Sequence, residues 1–207
     1  MPELRGALIV VDDGSRDATG AIAAEAGARV VVHAQNRGKG AALASGLAEA
    51  HALGFDVALS VDADGQHPAE SARLVLGAAS DPRALVLGVR DLARDGAPRA
   101  NQLSNGISNF FLSRFTGRAL DDTQCGLRRY PVRGTLALGA RARGYAFEAE
   151  VLLRAVAAGL PVIQQPIAAF YPPERERITH FDSVRDPARI IAVVLRTLWD
   201  TRRSRGT

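Results

Sequence analysis

Short runs of β-branched and aliphatic residues alternate along this chain with longer Ala- and Leu-rich stretches whose apolar positions recur every three or four residues. Alternation on that scale predicts βαβ units around a parallel sheet. Ala7 to Val11 predicts a buried strand. After the turn at Asp12-Asp13-Gly14-Ser15, a helix runs to about Ala26, with Ser15 or Asp17 able to cap its free N–H groups. Arg29 to His33 is the next strand. Gly38 to Ala52 reads as a helix with Leu43, Leu47 and Ala50 on one stripe, and Val57 to Val61 as another strand. Pro68 suits the first turn of a helix reaching Ala79, and Leu85 to Val89 is a further apolar strand. Asn101 to Phe115 predicts a helix, Leu127 to Tyr130 an extended segment, Phe147 to Ala158 a helix, and Val162 to Ile167 a last strand before the Pro172-Pro173 break.

From Val184 onward apolar residues fall at 184, 188, 191, 195 and 198, with Arg185, Arg189, Arg196, Arg202 and Arg203 elsewhere. That pattern predicts an amphipathic C-terminal helix over 184–203. Such a helix either packs on its own domain or, being basic and bearing Trp199, lies against anionic lipid. No repeat or linker divides the chain, so residues 1–207 are expected to form a single domain.

Composition narrows the class. At 207 residues, 47% hydrophobic and 23% charged, the chain is ordinary globular material that can bury about 70% of its unfolded surface. Cys125 is the only cysteine, which excludes an internal disulfide and a Cys-based zinc site. No apolar run approaches the ~20 residues that span a bilayer. A cytoplasmic protein, either soluble or peripheral at the inner face of the membrane, is the expectation. The net charge is +4, and Lys39 is the only lysine among 26 basic residues. Arginine's planar fork suits phosphate and carboxylate, so anionic ligands are favoured. Nucleic acid is not expected, because aromatic residues total only 5%.

The sharpest chemical feature is Asp62-x-Asp64-x-Gln66, placed where a strand hands over to a loop. Two carboxylates and an amide oxygen make a hard, oxygen-rich site for Mg²⁺ or Mn²⁺, with open positions for a substrate diphosphate. Ordinary turn chemistry is the alternative reading of the same residues. A calcium EF-hand loop is excluded, because His67 and Arg73 stand where Gly and Glu are required. Gly38-Lys39-Gly40 does not form a Walker loop, and no G-x-G-x-x-G follows the first strand.

Val10-Val11-Asp12-Asp13-Gly14-Ser15, then Asn36-Arg37-Gly38-Lys39-Gly40, then Asp62-Ala63-Asp64-Gly65-Gln66-His67-Pro68, in that order, resemble the family 2 glycosyltransferases. The likeness is greatest to their dolichyl-phosphate mannose synthase-like, polyprenyl-phosphate branch. Asp122-Thr123-Gln124-Cys125-Gly126-Leu127-Arg128, Tyr171-Pro172-Pro173-Glu174, His180-Phe181 and Val184-Arg185-Asp186 extend it over nearly the whole chain.

The resemblance implies a GT-A-like α/β domain, with a mostly parallel central sheet flanked by helices, that binds a nucleotide-diphosphate sugar. It implies Asp62, Asp64 and Gln66 as ligands of the metal and diphosphate, and Asp13 with Asp12 at the nucleobase or ribose. Lys39 would sit near the nucleotide. Arg90, Arg99 and Ser104 would meet donor or acceptor phosphate, with Arg128 a further candidate for that anionic pocket. The implied reaction inverts the sugar as it passes to a polyprenyl phosphate, whose oxygen is already anionic and needs no general base. A noncatalytic subunit bound to a membrane partner and a sugar nucleotidyltransferase are the rival readings.

Members of the family normally open with one more strand and a Pro-x-Tyr-Asn-Glu-like loop lining the nucleotide site. No residue before Leu4 matches it. The expectation is therefore a true start further upstream, or a shortened relative whose interior strand is missing and whose nucleotide pocket is open.

Overall fold

The computed structural model describes residues 7–171, 192–194 and 196–197. Its strands are β1 (Ile9–Asp12), β2 (Arg29–Val32), β3 (Val57–Ser60), β4 (Leu85–Arg90), β5 (Arg128–Pro131) and β6 (Val162–Ile167). Its helices are α1 (Thr19–Glu25), α2 (Lys39–Ala52), α3 (Ala69–Gly77), α4 (Arg99–Thr116), α5 (Val132–Ala137) and α6 (Ala146–Ala157). At the start of α1 it is Asp17, not Ser15, that accepts the Thr19 N–H, while Ser15 donates its own N–H to Asp12.

The strands form two sheets. β1 pairs with β2 in parallel, and the other four run in the order β3-β5-β4-β6. β4 and β6 are parallel, but β5 is antiparallel to both β3 and β4, so the sheet is more mixed than the alternating pattern predicts. The reason is physical: β5 is buried along its whole length, and a run buried on both faces reads the same in either direction. Among the described residues β1 and β3 share no ladder, and each keeps one edge without a strand partner. α2 packs on both, which holds the two sheets side by side.

The side chains of β4 alternate between two cores. Leu85 and Leu87 face the main core, with Leu112 of α4, Tyr130 of β5 and the apolar residues of α6. Val86 faces the opposite cluster with Ala72 and Val75 of α3. α6 is buried nearly all round, from Ala146 to Leu153, so the acids Glu148 and Glu150 lie inside the protein and need partners there. The predicted 184–203 helix lies outside the described residues, apart from 192–194 and 196–197. Those are helical, with Val194 buried in the main core. Among the described residues no helix is long and apolar enough to cross a membrane.

Candidate active site

Parallel strands deliver their C-terminal ends to one rim, and an antiparallel strand delivers its beginning there. Ser60, the last residue of β3, lies opposite Arg128, the first of β5, and Leu87 of β4 also pairs with Arg128. The loops 61–68, 91–98 and 120–127 therefore meet. Ser60 Oγ fastens two of them by donating to the Gly126 carbonyl at 2.7 Å.

Asp64 is exposed, and one of its oxygens accepts the Gln66 N–H at 3.0 Å, which shapes the acidic loop. The Gln66 carbonyl accepts the Phe170 N–H at 2.8 Å and ties this loop to the segment after β6. His67 lies within electrostatic reach of Asp62, Asp64, Asp122 and Arg90, so both carboxylates of the motif border one region. Burial, and then Arg90, hold that imidazole below the usual histidine range, and its buried Nδ1 has no hydrogen-bond partner.

Behind Asp62 lies a cluster of four charges. Lys39 opens α2, where Gly38 at φ 87° turns the chain into the helix. Lys39 Nζ sits 2.9 Å from Asp62 Oδ2 and 3.2 Å from Glu148 Oε2. Burial opposes the ammonium's charge, but Glu148 and Asp62 hold its pKa above the ordinary lysine range. Arg128 Nε is 3.8 Å from the other Glu148 oxygen, which makes no hydrogen bond. Gly126 belongs to this cluster through its lack of a side chain. A Cβ there would land on the Asp62 carboxylate and within 2.9 Å of Lys39 Nζ.

The remaining candidates divide. Arg128 is fully buried and donates to the carbonyls of Cys125, Thr123 and Glu148, so its guanidinium does not face a ligand pocket. That corrects its expected place in an anionic pocket. Ser104 is buried too, with Gln124 Nε2 donating to its Oγ at 3.0 Å. Asp12 closes its own turn by accepting the Ser15 N–H. Asp13 is engaged inside the protein: it accepts the N–H groups of Arg37 and Gly38 and meets His33 Nδ1 at 2.6 Å, while His33 Nε2 meets Ser45 Oγ. Burial works against its charge, but His33 and the two N–H groups hold Asp13 below the usual carboxylate range. These two aspartates thus shape the rim from within.

Arg90, at the end of β4, grips the fully buried Asp122 in a bidentate pair at 2.7 and 3.1 Å and donates to the Tyr171 hydroxyl. It borders a cavity of about 560 Å³ whose other wall includes Gln102, Asn105 and Asn109 of α4. The Asn105 Oδ1 on that wall is buried without a partner. Arg99 stands exposed at the first position of α4. Asp122, His67 and Tyr171 stand in the quoted motifs but were given no site role from sequence, and Glu148 was not singled out at all. Glu148 had a signal, since an acid within an apolar helix must find a buried partner.

Cys125 lies under the same pair. Burial, and then Asp122, push its thiol up to about 12. At pH 8 roughly one in 10⁴ molecules would carry thiolate, so iodoacetamide should leave the native protein unlabelled and label it after denaturation. Mass spectrometry of the two samples reads this directly.

Among the described residues no cluster of three or more His, Cys, Asp and Glu could hold an ion alone. Two carboxylates and an amide instead suit Mg²⁺ or Mn²⁺ shared with phosphate oxygens and water, which is how such ions are commonly held.

Comparison with solved structures places this architecture. Glucosyl-3-phosphoglycerate synthase of Mycobacterium tuberculosis, crystallised with Mn²⁺, UDP-glucose and phosphoglyceric acid, superposes with a TM-score of 0.64 at 23% identity, over 92% of this chain and 68% of that one. That likeness gives the chain a GT-A-like α/β fold. Residues 4–134 match the family described as glycosyl transferase family 2, and the chain belongs to that family. It is 30% identical to a UDP-N-acetylglucosamine–dolichyl-phosphate N-acetylglucosaminyltransferase of Methanococcus voltae, over 79% of this chain and 74% of that protein. It is 32% identical to a polyprenol monophosphomannose synthase of Mycolicibacterium smegmatis, over 77% of this chain and 65% of that protein.

Proposed function

We propose that the domain transfers a sugar, with inversion, from a nucleotide-diphosphate donor to a polyprenyl phosphate at a membrane face, in a reaction dependent on Mg²⁺ or Mn²⁺. The observation that carries the reading is the acidic loop: Asp62 and Asp64 at the strand rim, both within electrostatic reach of His67. The two relatives, one named for transfer to dolichyl phosphate and one for making polyprenol monophosphomannose, support the acceptor class. The metal-bound glucosyl-3-phosphoglycerate synthase of the same fold supports the ion.

Asp62, Asp64 and Gln66 would hold the ion, and what it supplies when bound is Lewis-acid charge at the departing diphosphate. Lys39 adds a second cation beside that position. The acceptor phosphate carries negative charge at neutral pH, so the protein needs to orient it, not deprotonate it. In the proposal it enters the cavity beside Arg90, with Arg99 at the entrance.

α4 supports a lipid acceptor in particular. Leu103 and Phe110 are 68% and 67% exposed, and Ile107 is exposed between them. At 100° per residue these three form one stripe, and Gly106, which also lines the cavity, falls between that stripe and the face that carries Gln102, Asn105 and Asn109. A phosphate in the cavity would leave its prenyl chain along that stripe. Changing Leu103 and Phe110 together to Asp should lower cosedimentation with phosphatidylglycerol vesicles at least ~10-fold, given ~2 kcal/mol for each buried apolar side chain. Undiminished vesicle binding would remove the stripe from the proposal.

The function is tested by incubating the protein with UDP- or GDP-sugars, Mn²⁺ and undecaprenyl or dolichyl phosphate. A solvent-extractable glycolipid with inverted anomeric configuration is the expected product. A retained configuration would refute the single displacement, and failure of every donor and acceptor pair would refute the activity.

A further inference from the structure

We propose that Lys39 is a resident cation that occupies Asp62 in the empty site and is drawn away by a nucleotide diphosphate, so that metal ion and nucleotide enter together and neither binds well alone. The inference rests on the metal reading above and adds a rule for the order in which charges are exchanged. It starts from the Asp62 carboxylate, whose Oδ2 is already held by Lys39 Nζ at 2.9 Å.

A divalent ion on that carboxylate would stand within a few ångströms of the ammonium, and two cations on one carboxylate repel. The ammonium must therefore move, and the structure provides for movement. Lys39 is the first residue of α2 and has a long, rotatable stem. Its second partner, Glu148, lies deeper, 3.2 Å from Nζ, and the far oxygen of Glu148 is buried without a hydrogen bond. A buried acceptor atom left without a donor is rare and calls for an explanation. Here it offers the displaced ammonium a second position. Arg128 holds that acid from behind, at 3.8 Å.

Glu150, two residues further along α6, shows the contrast. Its oxygens are all engaged, by the Arg141 and Ala142 N–H groups and by Arg154. Glu148 is the acid of this helix that remains available to a moving cation. The Tyr145 ring, 5.4 Å from Nζ, and the bare backbone at Gly126 confine the ammonium to this short path.

With metal alone, Lys39 leaves Asp62 for Glu148 and the ion meets an adjacent positive charge. With nucleotide present, the diphosphate oxygens accept both cations, and repulsion becomes shared attraction. Coupling of this kind is reciprocal: nucleotide tightens metal by the factor that metal tightens nucleotide. Glu148 is on this account a positioning residue, acting through Lys39.

The test follows free Mn²⁺ by electron paramagnetic resonance during titration of wild type, Lys39→Gln, Lys39→Arg and Asp64→Asn, each with no nucleotide, UDP or GDP. In Lys39→Gln, Mn²⁺ alone should bind ~10-fold more tightly than in wild type, and its coupling to nucleotide should fall ~10-fold. Lys39→Arg keeps the charge and should keep the wild-type pattern. Equal or weaker Mn²⁺ binding by folded Lys39→Gln, or undiminished coupling, overturns the proposal. If circular dichroism shows that Lys39→Gln is unfolded, Glu148→Gln decides: loss of the second position should weaken binding of Mn²⁺ alone, and unchanged affinity overturns the proposal. The two readings fail differently. If Asp64→Asn binds Mn²⁺ and nucleotide as wild type does, the metal reading falls and the latch with it. If Asp64→Asn loses Mn²⁺ while Lys39→Gln is unaltered, only the latch falls.

Discussion

Replacing Asp64 with Asn should lower sugar transfer by ~10³-fold, the upper range for removing one fixed electrostatic contact to a leaving group. The substitution isolates chemistry from folding. Asp64 is exposed, and the bond it makes inside the protein is acceptance of the Gln66 N–H, which the amide oxygen of Asn can also accept. The melting temperature should therefore stay near wild type, as expected for an exposed side chain whose local hydrogen bond survives. A factor of 10³ corresponds to ~4 kcal/mol of lost transition-state stabilisation. Initial rates at saturating donor, with calorimetry on the same preparations, check both halves. Transfer within a few-fold of wild type would refute the role given to this carboxylate.

Arg128→Met should produce the largest loss of stability, ~3–5 kcal/mol, the usual cost of removing one partner of a buried ion pair. Its guanidinium is fully buried and donates to three carbonyl groups, so the variant strips donors from Cys125, Thr123 and Glu148 at once. It also leaves Glu148 with Lys39 as its nearest cation. For a domain of this size the melting temperature should drop by about 10 °C. Scanning calorimetry in the absence of ligand tests this. A drop of only a degree or two would mean that the guanidinium is replaceable, and that its burial was misjudged as structural.

The element order was largely readable, because strand-sized apolar runs and helix-sized stripes are separated by Gly, Asp and Pro turns. What pairing would do with those runs was not. Leu127 to Tyr130 reads as extended but, with two arginines among four residues, carries no mark of direction, and its antiparallel placement depends on partners some 40 to 70 residues earlier in the chain. α5 escaped because it has six residues, begins directly after Pro131 and contains Gly134, a composition that reads as a turn. In the site, the acidic loop was legible because the spacing 62, 64, 66 is local. Arg128 was not, since whether an arginine meets solvent, ligand or a buried Glu148 depends on a helix twenty residues away. The internal partners of Asp13 were illegible for a related reason: nothing near it in sequence shows that His33 and the 37–38 backbone meet its carboxylate.

These bonds to Asp13 have a mechanical meaning. One carboxylate joins the end of β1 to the end of β2, through His33, and to the loop that leads into α2. Because Lys39 follows Gly38 directly, the anchor point of its stem inherits the stiffness of that joint. The ammonium swings on a fixed pivot, and its reach is set by side-chain torsions while the backbone beneath it stays clamped.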